Sequence, residues 1–211
     1  MPTPTTEDHP SLPAWQDMAA LRALLGADIQ PQQPIAMLYL GRQHGQLLVS
    51  DSDATGQPPL VHPLPLGLDT LAVHTFHHRM PGEAQLETGI MQVEDAIMPM
   101  QPLLPPHPVL VLQDPLLLQV AQHARGMPEP LALPAAWPTH EPLAQLHPEA
   151  IEALFDTLAR QAMHPQLARN DLPQSPYWAA ALLILREVLH HWQLGTLYLL
   201  PRWPAAHSPK G

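Results

Sequence analysis

The sequence predicts an α+β domain: a mainly antiparallel sheet with helices packed on one side, followed by a helical C-terminal half. Three observations predict it. Short apolar runs joined by glycine-bearing turns fill positions 35–78. Amphipathic stripes at helical spacing dominate from position 81 onward. No fixed-period repeat appears, and the element order α-β-β-(β)-β-α-β-α-α-α-β matches an antiparallel sheet with segregated helices.

Met1–Pro10 is polar and proline-rich and reads as a disordered tail. Ser11 is placed to cap a helix that carries Trp15, Met18, Leu21 and Leu25 on one stripe and stops at Gly26. Ile35–Leu40 and Gln46–Ser50 are apolar runs flanking Gly-Arg-Gln-His-Gly, a β-hairpin pattern. Leu60–Leu66 is broken by Pro63 and Pro65, which restricts it to an edge strand or an extended connection. Leu71–His78 reads as a strand, with His74 and His78 on one face and His77 on the other.

Pro81 opens a helix to Met98 with Leu86, Ile90, Val93 and Ile97 on one face. Val109–Leu112 is a short buried strand, and Asp114-Pro115 starts a helix running to Arg125. A proline-laden connection covers 127–148, and Glu149–Ala162 is helical. The last helix is the best specified: Ser175 caps it, Pro176 takes its first position and Gly195 ends it. Thr196–Leu200 reads as a closing strand, and 204–211 as a tail. Residues 11–203 are therefore expected to form one domain, with a subdivision near 127–148 as the alternative.

The 211 residues suffice to bury a core without disulfides. The chain is acidic, proline-rich and histidine-rich: net charge −10, 29 prolines and 14 histidines. Its single lysine is Lys210, and no window clusters three basic residues, so nucleic-acid binding is not expected. Zero cysteines exclude thiolate metal sites and cysteine nucleophiles. No apolar run approaches the roughly 20 residues of a bilayer span, and no basic-then-apolar leader opens the chain. A soluble, cytoplasmic, bacterial protein with no membrane partner is the expectation.

Candidate chemistry is sparse. His74 and His78 share a face on the expected strand, but about 13 Å would separate their Cα atoms, too far for one ion without a bulge. Glu187 and His190 form a Glu-x-x-His step on the last helix, as in di-iron bundles, yet only one such step exists. Glu187 with His191, and Arg186 with His190, are the expected local pairs. The metal candidates are thus His74, His78, Glu187 and His190. Asp114 occupies a strand–Asp–helix junction that can host a nucleophile, although an ordinary helix cap is the favoured role. Asp51 and Asp53 lie in a polar loop lacking calcium-loop spacing. Dinucleotide, Walker and serine-elbow motifs are all missing.

These absences favour a non-catalytic accessory or protein-interaction domain without a cofactor. The alternative is a metal-dependent hydrolase using His, Asp and Glu ligands to a divalent ion. A protein partner or a homodimer is expected, the dimer from the wide apolar face of the last helix.

Overall fold

A computed structural model of the chain describes residues 21–22, 25–26, 29–30, 33–50, 59–126, 144–167 and 172–200. Six strands form one sheet: β1 (Ile35–Leu40), β2 (Gly45–Ser50), β3 (Leu60–Leu64), β4 (Val109–Leu112), β5 (Ala144–Leu146) and β6 (Leu197–Leu199). Their order is β3-β2-β1-β4-β6-β5. The helices are α1 (Glu83–Ile97), α2 (Pro115–Ala124), α3 (Pro148–Met163) and α4 (Pro176–His191).

The sheet is mixed, which corrects the expectation of a mainly antiparallel one. β1, β4 and β6 run parallel at its centre, and antiparallel pairs flank them. The physical reason is burial on both faces. Val-Leu-Val-Leu in β4 and Ile-Ala-Met-Leu-Tyr-Leu in β1 are buried at every position, and continuous apolar runs are the mark of covered parallel strands. Helical crossovers then return the chain to the same end of the sheet between successive parallel strands.

Alternation divides the strands between two clusters. Ala36, Leu38, Leu40, Leu110, Leu112 and Leu199 face the layer of α1–α4. Ile35, Met37, Tyr39, Val109, Val111 and Tyr198 face the other way, against Leu21, Leu25 and Ile29. Helices on one side therefore describes α1–α4 but not the N-terminal segment, where Leu21, Arg22 and Leu25 are helical. Trp15 and Met18 lie outside the described residues, as do the tails, the Asp51–Asp53 loop and positions 127–143.

The expected strand at 71–78 is instead a π-helical turn, Thr70–Thr75. Leu71, Ala72, Thr75 and Phe76 are all buried, a spacing that fits one face of a helix and not the alternation of a strand. His77 and His78 follow with φ of 53° and 59°, a left-handed turn that ends the helix. The amide of His78 donates to Ala72 O at 2.9 Å. Gln85 latches this turn to α1: its Nε2 donates to Thr75 O, and its Oε1 accepts from Gly82 N, both at 2.9 Å.

β5 emerges from the end of the proline-laden connection and pairs antiparallel with β6. One sheet thus contains strands from both sides of that connection.

α4 is the central helix. Trp178–Leu185 and Glu187–Leu189 are buried, in contact with α1, α2, α3 and the π-helical turn. Its wide apolar face is accounted for within one chain. Gly89 lets α1 approach: a Cβ there would lie 3.2 Å from Leu183 and 3.4 Å from Leu71. Gly89→Val is therefore expected to destabilise the fold by about 1–3 kcal/mol through overpacking, read as a lower urea midpoint at unchanged slope. An unchanged midpoint would contradict this packing.

Candidate functional site

Open α/β sheets bind ligands outside the carboxyl ends of their parallel strands. Here that rim is built from the β1–β2 turn, the segment after β3, the β4–α2 junction and the start of α4. Gly67 brings two of these together. A Cβ on it would stand 2.3 Å from Gln43 C and 2.4 Å from Arg42 O, so only glycine permits this backbone approach. Leu68 N and Asp69 N then donate to Gly41 O and Arg42 O at 3.0 and 2.7 Å, fixing the hairpin tip.

Arg42 extends from that tip. Its Nε lies 3.2 and 3.3 Å from the two Asp69 oxygens, and its Nη2 donates to the Tyr177 hydroxyl. Tyr177 in turn donates to Asp69 Oδ1 at 2.9 Å, and the guanidinium lies 5.1 Å from its ring centroid. Burial alone would raise the Asp69 carboxyl; the Arg42 and Tyr177 hydrogen bonds and the charges of Arg42 and His74 outweigh it and hold the group below the usual range. Asp69 is therefore ionised at neutral pH.

The β4–α2 junction is committed to structure. Asp114 Oδ1 accepts from Leu116 N and Leu117 N at 2.8 and 3.1 Å, and Oδ2 accepts from Leu40 N at 3.1 Å. Burial pushes its carboxyl up, and the three amides oppose that without cancelling it. Tyr39 donates to Gln113 Oε1 at 2.6 Å; burial, then the nearby Asp114 charge, pushes its phenol well above the usual range. Ser175 caps α4 by accepting from Trp178 N at 3.3 Å. Both helix N-termini at this rim are thus occupied by side chains of the chain itself, and among the described residues Arg42, paired with Asp69 and Tyr177, is a cation that stands beside them.

Of the sequence candidates, His74 and His78 are exposed, one on the π-helical turn and one in the left-handed turn. Glu187 is completely buried, while its Glu-x-x-His partner His190 is exposed. Glu187 meets His191 instead, with Glu187 Oε2 and His191 Nε2 3.4 Å apart. Glu94 of α1 joins them: its Oε1 lies 3.0 Å from the same nitrogen, and the three ligand atoms fall within 4.8 Å of one another. This cluster occupies the far end of α4, about 15 Å along the helix from Tyr177 to Glu187. Nothing in the sequence singled out Glu94 or Asp69. Arg42 was visible only as one residue of a hairpin turn.

No protein-family model matches the chain, and no curated protein matches it in sequence. Solved structures do. The Aquifex aeolicus PPX-GPPA enzyme superposes with TM-score 0.58 at 13% identity, covering 84% of this chain and 56% of that one. An exopolyphosphatase from Cytophaga hutchinsonii gives TM-score 0.57 at 11% identity, over 85% and 56%. An exopolyphosphatase-like protein gives 0.57 at 11%, over 85% and 62%. At such identity the likeness shows the fold, and the chain spans little more than half the length of these structures. The preference for a non-catalytic accessory domain gains no support from it, since the solved structures that share the fold are named as enzymes or enzyme-like proteins. That preference rested on missing motifs, and the fold is the one these phosphatase and exopolyphosphatase structures share. Among the described residues no helix is long and apolar enough to cross a membrane.

Because its folded-state pKa is depressed, Asp69 stabilises the fold above the ordinary carboxylate range, and that contribution is lost as pH falls through the lowered value. The melting-temperature gap between the wild type and Asp69→Asn is expected to be constant from pH 5 to 8 and to shrink below about pH 4. A gap that widens on acidification would contradict the ion pair.

Proposed function

We propose that the chain is a hydrolase of phosphate compounds, phosphoanhydrides in particular, with its substrate at the rim formed by the β1–β2 turn and the β4–α2 junction. The observation that carries the reading is Arg42, whose backbone is fixed by the close approach of Gly67 and whose guanidinium is paired with Asp69, at the carboxyl ends of the parallel strands. The fold likeness to phosphatase and exopolyphosphatase structures supports the same class.

In this reading Arg42 turns from Asp69 to the substrate, since a planar guanidinium pairs with phosphoryl oxygens in two parallel hydrogen bonds. The released Asp69 carboxylate, ionised at neutral pH, is then free to orient an attacking water. Tyr177 keeps Asp69 aligned. Asp114 gives its oxygens to three amides and has none to offer a divalent ion, whereas Asp69 could meet one only after Arg42 turns away; the reading rests on Arg42 and Asp69 themselves. A cytoplasmic location belongs to the same proposal.

Net charge −10 repels a polyanion, so screening helps association here. The test is orthophosphate release from pyrophosphate, inorganic polyphosphate and nucleoside triphosphates. Turnover is expected, with kcat/KM rising between low and physiological salt. Arg42→Ala should lower kcat/KM by about 100-fold, the loss of a charge-assisted bidentate contact, while its melting temperature falls no further than that of Asp69→Asn. Absence of phosphate release from all three substrates, or an unaffected Arg42→Ala, would overturn the proposal.

A further inference from the structure

We infer that Glu94, Glu187 and His191 form a binding site for one divalent first-row transition ion, which staples α1 to α4 at the end of the helical layer remote from the rim. Glu187 has 0% of its surface exposed. Its Oε1 accepts from Arg186 Nη1 at 2.6 Å, but Oε2 accepts no hydrogen bond. His191 Nε2 stands 3.4 Å from that oxygen without the alignment of a hydrogen bond and is engaged with Glu94 instead.

A buried carboxylate oxygen left bare costs at least about 1–3 kcal/mol, and native structures rarely leave one without a water or an ion. The charge balance favours the ion. Glu94, Glu152 and Glu187 converge with the single guanidinium of Arg186, leaving two negative charges beside one imidazole. A divalent cation would bring positive charge between the Glu94 and Glu187 carboxylates together with the His191 nitrogen, which a neutral water does not.

Geometry and chemistry agree. Three ligands bound at about 2.1 Å in a tetrahedral site stand about 3.4 Å apart. The 3.0 and 3.4 Å spacings to His191 Nε2 already match, and the third pair, within 4.8 Å, needs to close by no more than about an ångström and a half. One imidazole nitrogen and two carboxylate oxygens suit Zn²⁺ or Mn²⁺ rather than a thiophilic ion.

The surroundings hold the ligands in place. Arg186, itself held by Glu152 at 3.0 Å and set over the Phe155 ring at 5.2 Å, fixes the Glu187 carboxylate so that Oε2 faces the cluster. Trp192 Nε1 donates to Ile97 O at 3.1 Å, joining the same ends of the two helices. Glu94 and His191 are 34% and 22% exposed, so an ion reaches the site from solvent.

The experiment is titration of the metal-stripped full chain with Zn²⁺ by calorimetry and thermal melting, with Co²⁺ absorption as the spectroscopic probe. Tight binding of one equivalent is expected, with a melting temperature raised by about 5 °C or more at saturation and a d–d spectrum of nitrogen and oxygen ligation. Glu94→Gln and His191→Gln, both at partly exposed positions, should each weaken binding at least tenfold and abolish the spectrum. Arg42→Ala should leave all of these unchanged, which separates this site from the rim. Absence of a stoichiometric tight site, or one that survives in both ligand variants and so belongs to the histidine-rich surface, would overturn the inference.

Discussion

The carboxylate of Asp114 is the constraint on which the rest of the structure depends. One oxygen closes the N-terminus of α2 through Leu116 and Leu117; the other reaches across to the amide of Leu40, the last residue of β1. Two elements more than 70 residues apart, β1 and α2, thus meet on one buried side chain. The junction it fixes sets where β1 ends, where the hairpin tip begins and where Arg42 stands. Leaving three amides without an acceptor would cost several kcal/mol, a large share of the stability of a domain this size. Asp114 therefore takes the capping role that its place before Pro115 favoured, and serves architecture rather than chemistry.

Much of the fold was legible because it was written in local periodicity and capping. The hairpin at 35–50, β4, the Asp114-Pro115 start of α2 and the Ser175-Pro176 start of α4 each announce themselves within a few residues. Strand direction does not. Val109–Leu112 has the same apolar pattern whether its neighbour runs parallel or antiparallel, and only the register of Ile35 with Val109 and of Leu110 with Leu197 decides it. The segment at 71–78 misled for a related reason. Leu-Ala-Val-His-Thr-Phe is too short to separate periods of two and of about four, and its alternation suggested a strand.

The site was less legible, again for physical reasons. Arg42, Asp69 and Tyr177 are 27 and 135 residues apart from one another at the extremes of their contacts, so no contiguous motif could show them. Glu187 and His191 were readable as a pair four residues apart on one helix, but Glu94, 97 residues from His191, depends on the packing of α1 against α4. That packing rests on Gly89, whose missing side chain lets α1 approach Leu183 of α4. The missing phosphate-loop motifs therefore excluded particular loops, not phosphate chemistry on this fold.

α4 has two polar ends, with Tyr177 at the rim and Glu187–His191 about 15 Å away, and the proposed activity uses the rim. The most direct measurement is a two-dimensional amide NMR titration of the full chain with pyrophosphate. Saturable shifts concentrated at Gly41–Gly45 and at Asp69–Thr70, together with the Arg42 side-chain Nε resonance, are the predicted result. Shifts confined to the Glu94–His191 end, or none at saturating pyrophosphate, would contradict a functional centre at the rim.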